Sequence, residues 1–315
     1  GMNLKTSLKE GRIKRFFLRL WEQKILVFMS LPFLVWMIIF NYLPLGGWLM
    51  AFKNYKPRYG IFGSEWVGLK YFSEFLQDRR FYEILRNTFC MSGLNIVFGT
   101  CCAILLAVFL SEVQNKTFKR SVQTISYLPH FISWVVVSNI FYTFLSSEGL
   151  LNDILLRLGV LKEAVSFMSK EKSFWGIVTV AQVWKEMGWN AILYLAAITA
   201  IDPQLYEAAT LDGITRIGKI RYITIPCILP TIMMLFVLNV GNLLNSTGFD
   251  PSYLMGNDMT INYSQNLSVY AYTYGLEMGR YSMSTALSVF NSLLSLILVW
   301  SANKLSSRVV DGGIL

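Results

Sequence analysis

The sequence predicts an all-helical, polytopic membrane protein with six transmembrane helices, and three observations carry that prediction. Of its 315 residues, 54% are hydrophobic and only 15% are charged, and the mean hydropathy is +0.46. That is too apolar for a soluble domain of this length. The apolar residues fall into six runs near 25–51, 88–110, 122–145, 174–200, 228–248 and 283–302, each close to the roughly 20 residues that cross a bilayer. Finally, the Lys and Arg residues collect between alternate runs.

Residues 1–24 read as a basic amphipathic segment. Lys5, Lys9, Arg12, Lys14, Arg15, Arg19 and Lys24 are interleaved with Ile13, Phe16, Phe17, Leu20 and Trp21 at helical spacing. Such a helix suits an anionic membrane surface. A cleavable signal peptide is disfavoured, because the charged stretch is long and Pro32 and Pro44 interrupt the apolar run. Residues 25–315 then form a single six-span domain.

An even number of spans puts both termini on one side, and charge says which. With the termini inside, the inner segments hold 15 basic and 7 acidic residues, against 12 and 11 in the outer loops. The positive-inside rule therefore places the termini and the loop around Glu207 in the cytoplasm. The first outer loop, with Trp66, Lys70, Phe72, Phe75 and Leu76, predicts a short helix, and so does Gly149–Ile154 in the second. The third outer loop is rich in tyrosine, including Tyr253, Tyr263, Tyr270, Tyr272, Tyr274 and Tyr281. Those rings fit an interfacial aromatic belt, or else a docking surface.

Several chemistries are excluded or weakened. Cys90, Cys101, Cys102 and Cys227 lie in or beside apolar runs with no metal-ligand spacing. A single histidine, His130, rules out histidine metal clusters and disfavours a catalytic triad, so the chain is not expected to be an enzyme. The net charge of +9 is a membrane-topology signal, and no nucleic-acid partner is expected. Gly213–Ile220 imitates a phosphate-binding loop, but Ile220 stands where a hydroxyl must hold magnesium and no strand precedes it.

The most polar interval of the second half is Tyr206-Glu207-Ala208-Ala209-Thr210-Leu211-Asp212-Gly213, with Ile223-Thr224-Ile225-Pro226 following. Asp202 is suited to cap a helix beginning at Pro203, and Gly213 to end it in a left-handed turn. A second short helix from Ile214 to about Tyr222, with a boundary at Pro226, completes an elbow over about 203–222.

Glu-Ala-Ala, three residues, Gly, nine residues, Ile-x-Ile-Pro resembles the coupling motif of membrane subunits in bacterial ABC importers. That motif normally reads Ile-x-Leu-Pro, so Ile225 is a mild departure. Tyr127–Trp134 and Trp184–Glu207 resemble the LplB-like polysaccharide and oligosaccharide branch of maltose-type carbohydrate permeases. The resemblance follows most of the chain. It implies a type I ABC importer transmembrane fold in a bacterial inner membrane. It also implies a second permease subunit, two cytoplasmic ATPases that bind ATP and Mg, and an extracytoplasmic solute-binding protein. Glu207, Ala208, Ala209, Asp212 and Gly213 are the expected ATPase-coupling residues, and no cofactor is expected in this chain itself.

A substrate path is expected where polar groups enter apolar runs. Lys185 lies near the middle of its run, where a charge is costly unless partnered. It is placed either to meet an acidic sugar group or to be neutralised by other protein groups. Asn239, Asn242 and Asn245, three residues apart, share a helix face. Their amides require partners, which sugar hydroxyls or a neighbouring helix supply. Trp184, Asn190 and Tyr194 complete the expected path. The rival reading is an ion-coupled secondary carrier working without an ATPase, which predicts inverted repeats and paired broken helices; neither stands out.

Overall fold

The computed structural model describes residues 21–244 and 248–310. The expected basic segment 1–24 falls almost wholly outside the described residues, and Asn245 does too. The chain divides into two compact units, one ending at Gly68 and the other running from Leu69 onward.

In the first unit, α1 (Lys24–Phe52) is long and apolar enough to span a membrane, and none of its most apolar window is buried by the chain. Its Phe28 and Phe33 are among the most exposed side chains. A π-helical turn at Ile38–Tyr42 precedes Pro44. Proline lacks the N–H that an α-helical ladder would use, and the widened turn takes up the mismatch. After α1, β1 (Lys53–Asn54) pairs antiparallel with β2 (Glu65–Trp66). Trp66 stacks on Phe52, with ring centroids 5.8 Å apart.

The second unit is helical throughout among the described residues. The amphipathic α2 (Lys70–Gln77) buries Phe75 against Phe81 and Phe290, at 4.9 and 5.5 Å between centroids. Asp78 then caps α3 (Arg79–Glu112) by accepting from the Arg80 N–H at 2.9 Å. At ~1.5 Å per residue this helix is about 51 Å long, so it projects well beyond the expected span of 88–110.

The run near 122–145 is not one straight span. α4 (Lys116–Tyr127) passes through a 3-10 turn at Leu128–Phe131, and the chain then bends by 103° into α5 (Trp134–Leu145). Pro129 sits within the tight turn, and Ser133 opens α5 by accepting from the Val136 N–H. α4 is amphipathic and only α5 is strongly apolar, so the apolar run that starts near 122 joins the last turns of one helix to the other and conceals the corner. α6 (Leu150–Arg157) is the short helix expected of the second outer loop.

α7 (Phe174–Thr199) is a continuous helix of 26 residues, about 39 Å long at ~1.5 Å per residue. Polar residues lower its hydropathy without shortening it. It packs along α3 through small side chains: Ala103 and Ala107 meet Ala191 in a buried cluster with Tyr194, Ile198 and Ile228. Close approach through small residues is the usual route to tight helix pairs in lipid. α8 (Pro203–Leu211) follows after a three-residue turn.

The boundary expected at Pro226 is absent. α9 (Arg216–Asn242) runs straight through that proline, with a π-helical turn at Ile220–Thr224 just before it. This repeats the device seen before Pro44. α10 (Phe249–Met255), α11 (Leu267–Tyr272) and α12 (Tyr281–Val309) complete the unit, and α12 packs along α9. Helices α1, α3, α9 and α12 are long and apolar enough to span, and the bent α4–α5 pair passes the same test together. With α7, that is compatible with six passes.

The tyrosines between α9 and α12, expected in the third outer loop, divide into distinct roles. Tyr270 is fully buried, its hydroxyl 3.3 Å from the Asp78 carboxylate and its ring 4.3 Å from that of Tyr274. It is a core residue, neither belt nor docking surface. Burial pushes its phenol above the ordinary tyrosine range, and the neighbouring Tyr274 adds to the effect. Tyr274 also lies beneath the guanidinium of Arg280, which is ion-paired with Glu74.

Candidate functional site

Three helices each turn a polar stripe toward a common space of about 360 Å³. From α3 come Thr88, Ser92, Asn95 and Gly99, at spacings of four, three and four. From α7 come Gln182, Glu186, Asn190 and Tyr194, each four apart, and from α9 come Asn239 and Asn242. At 3.6 residues per turn, such spacings keep each set on one helix face. The wall therefore offers amide and hydroxyl groups, which can both donate and accept hydrogen bonds. Among the described residues, its one charged side chain is Glu186.

Of the residues expected on the path, Asn190, Tyr194, Asn239 and Asn242 line this space, whereas Trp184 and Lys185 do not. Each residue turns a helix by about 100°, so the face bearing Gln182 and Glu186 carries Trp184 away. Its ring packs near Phe141, with centroids 6.1 Å apart. Lys185 is buried at 5% exposure. Its ammonium donates to the His130 carbonyl oxygen at 2.6 Å and lies 3.3 Å from the Glu186 carboxylate. The other Glu186 oxygen is 2.7 Å from His130 Nδ1, and the imidazole stacks on Trp189 at 4.4 Å. Neutralisation of Lys185 is thus supplied inside this chain.

The polar stripe on α3 was not among the expected path residues. Its signal is present in the sequence, as Thr88, Ser92, Asn95 and Gly99 recur at helical spacing within an apolar run. It is the same kind of signal that the asparagines of α9 give. Gln182 and Glu186 extend the Asn190 stripe in the same way.

The elbow sits immediately beyond α7. Asp202 accepts from the Gln204 N–H at 2.9 Å and Pro203 occupies the first turn of α8. At the other end Gly213 has φ +74°. The Ile214 N–H donates to the Ala209 carbonyl at 2.9 Å and the Gly213 N–H to that of Thr210 at 3.1 Å. This is a Schellman closure, which needs a residue able to adopt positive φ. Lys219 donates to Thr210 Oγ1 at 2.6 Å, and the Tyr206 hydroxyl lies 2.9 Å from that of Thr224, tying α8 to α9.

The two alanines of the motif face opposite ways. Ala209 is 4% exposed and packs into its own chain, whereas Ala208 is exposed beside Glu207. The outer surface also carries Leu211, 90% exposed, and Ile217, 77% exposed. Asp212 stands at the C-terminal cap of α8, where the helix dipole disfavours a carboxylate. Neither Glu207 nor Asp212 forms an ion pair among the described residues. The elbow thus exposes an apolar surface beside two acids that form no ion pair among the described residues.

The chain resembles known proteins along most of its length. Residues 99–311 match the family described as the binding-protein-dependent transport system inner membrane component. The chain is 40% identical over 307 residues to the polygalacturonan/rhamnogalacturonan transport system permease protein YteP of Bacillus subtilis, covering 97% of this chain and 95% of YteP. It is 37% identical over 294 residues to protein LplB of the same organism, covering 93% and 92%. Among solved structures, it superposes with TM-score 0.86 on a chain of a bacterial ABC transporter involved in importing the acidic polysaccharide alginate. That match is 39% identical and covers 94% of this chain and 99% of the other. A polar cavity between membrane helices, an exposed elbow and near full-length similarity lead to one assignment: the chain belongs to the family of binding-protein-dependent transport system inner membrane components.

Proposed function

We infer that this chain is the permease half of an ATP-driven importer that carries an acidic oligosaccharide across the cytoplasmic membrane. The observation that carries the reading is that a single helix, α7, both lines the amide-rich cavity and leads into the exposed elbow. Sugar hydroxyls suit a wall of amides and hydroxyls, because each side can donate and accept. The acidic character of the solute is drawn from the relatives, whose names specify polygalacturonan, rhamnogalacturonan and alginate.

In this reading the elbow over about 203–222 docks on a cytoplasmic ATPase through Leu211, Ala208 and Ile217. Glu207 and Asp212 offer carboxylates to basic groups of that ATPase, while Ala209 and Gly213 hold the shape. A second permease subunit closes the path, two ATPases bind ATP and Mg, and an extracytoplasmic binding protein delivers the sugar. Nucleotide-driven closure rocks the spans between outward and inward openings. The charge pattern of the inner and outer segments supports cytoplasmic termini. The chain itself catalyses nothing. The family match lends no support to the ion-coupled carrier.

The test is to purify the chain with its co-expressed neighbours, reconstitute it, and supply candidate oligosaccharides with the binding protein. Uronate-containing oligomers should stimulate ATP hydrolysis and enter the vesicles. Uptake driven by an ion gradient, with no ATPase present, would overturn the reading.

A further inference from the structure

The cavity poses a charge problem. Its one charged wall group among the described residues, Glu186, has the same sign as a uronate sugar. In a low-dielectric setting, like charges a few ångströms apart repel strongly. Directly behind that carboxylate, out of the cavity, sits Lys185.

Consecutive helix residues do not normally face one another. Here the long lysine side chain folds back so that its ammonium reaches the Glu186 carboxylate at 3.3 Å, and the His130 carbonyl anchors it at 2.6 Å. Trp134 lies across the ammonium at 5.8 Å, so an aromatic face completes its surroundings. The second carboxylate oxygen is fixed by His130 Nδ1 at 2.7 Å, and the ring is held in turn by its stack on Trp189. Both groups are therefore locked in place, with the lysine buried and the glutamate one-third exposed.

We propose that Lys185 is a charge-balancing residue of the cavity: it touches no solute, but cancels the Glu186 carboxylate so that an anionic sugar can occupy the space. The inference deepens the acidic-sugar reading and rests on it for its biological purpose. The electrostatic claim itself is testable without any sugar.

The experiment uses the assembled importer with Cys90, Cys101, Cys102 and Cys227 replaced by alanine and Asn190→Cys as a reporter in the cavity wall. Its rates of reaction with a cationic (trimethylammonioethyl) and an anionic (sulfonatoethyl) methanethiosulfonate give a charge ratio. Lys185→Met should raise the cationic-to-anionic ratio at least about tenfold, and adding Glu186→Gln should return it. Glu186→Gln alone, which keeps the lysine, should shift the ratio the opposite way, so the test survives if Lys185→Met fails to assemble. In transport, Lys185→Met should depress uptake of a uronate oligomer more than that of a neutral oligomer of equal length.

A ratio unmoved by both single substitutions would overturn the proposal. Equal loss of both sugars in Lys185→Met, without rescue by Glu186→Gln, would likewise reduce the lysine to a packing role. If the unaltered complex carries no uronate while the ratios shift as described, the substrate reading fails and the charge balance stands.

Discussion

Gly188 of α7 lies so close to Ser126 of α4 that a Cβ built on it would stand 2.0 Å from the Ser126 carbonyl oxygen. No side chain can give way there, because the obstacle is backbone. The corner between α4 and α5 is therefore seated on α7 at a point beside the Lys185, Glu186 and His130 cluster. Gly188→Ala should lower stability by about 3 kcal/mol and release this corner. Gly176, in the same helix with nothing within 4 Å, is the control. Gly176→Ala should be neutral or mildly stabilising. Thermal unfolding of the two purified variants separates the cases.

The knob of the elbow is separable from the fold. Leu211 is 90% exposed, so Leu211→Asp should insert and fold normally while ATPase co-purification drops and uptake falls at least about tenfold through weakened docking. Ala209→Lys is the less clean probe, because Ala209 is buried in its own chain and the lysine disturbs folding as well. Quantifying ATPase co-purification alongside uptake distinguishes the two.

Gly213 tests the shape of the same elbow. Its φ of +74° costs an L side chain roughly 1 kcal/mol. Gly213→Ala should therefore weaken coupling without abolishing it, with a smaller loss of uptake than Leu211→Asp. An ATPase assay with and without substrate would register the partial uncoupling.

The amide wall makes its own prediction. Asn190→Leu with Asn239→Leu removes polar partners from two helices facing the cavity. Sugar uptake should fall at least about tenfold, since a site that hydrogen-bonds its ligand loses heavily when those groups go. The quantity of assembled complex should not change. Equal uptake at equal expression would assign both residues to packing.

Tyr270 carries a pH signature. Its folded-state phenol titrates above the unfolded value because burial disfavours the phenolate. The stabilisation is then full below the unfolded pKa of about 10 and is lost as pH rises past it. Tyr270→Phe removes the ionisation together with the 3.3 Å contact to Asp78. It should lower stability by about 1 kcal/mol near neutrality and show a shallower loss of Tm between about pH 9.5 and pH 11.5. Melting curves across that range would check both parts.

The sequence carried the helical class, the run lengths and the elbow because each depends on local chemistry. Hydropathy reports burial in lipid, and Asp202, Pro203 and Gly213 mark a short helix by their own backbone preferences. Other features depended on partners distant in the chain. Pro226 reads as a boundary, yet one widened turn at Ile220–Thr224 lets the helix continue. The corner near Ile132 is hidden because scattered apolar residues of the amphipathic α4, Val122, Ile125 and Leu128, run on into the strongly apolar α5. Tyr270 resembles its surface neighbours until Asp78, 192 residues earlier, comes beside it. In the cavity, the Asn239 stripe was legible, whereas the fate of Lys185 turned on the carbonyl of His130, 55 residues away.

The unbroken run of α7 has a mechanical corollary. Asn190, Glu186 and Gln182 stand on the same rod that ends at Thr199, with three residues between it and Pro203. Under the proposed mechanism, a throw imposed on the elbow would reach the cavity wall through one tight corner, like a crank turning a shaft. Gripping and releasing cargo would then need no relay of separate moving parts.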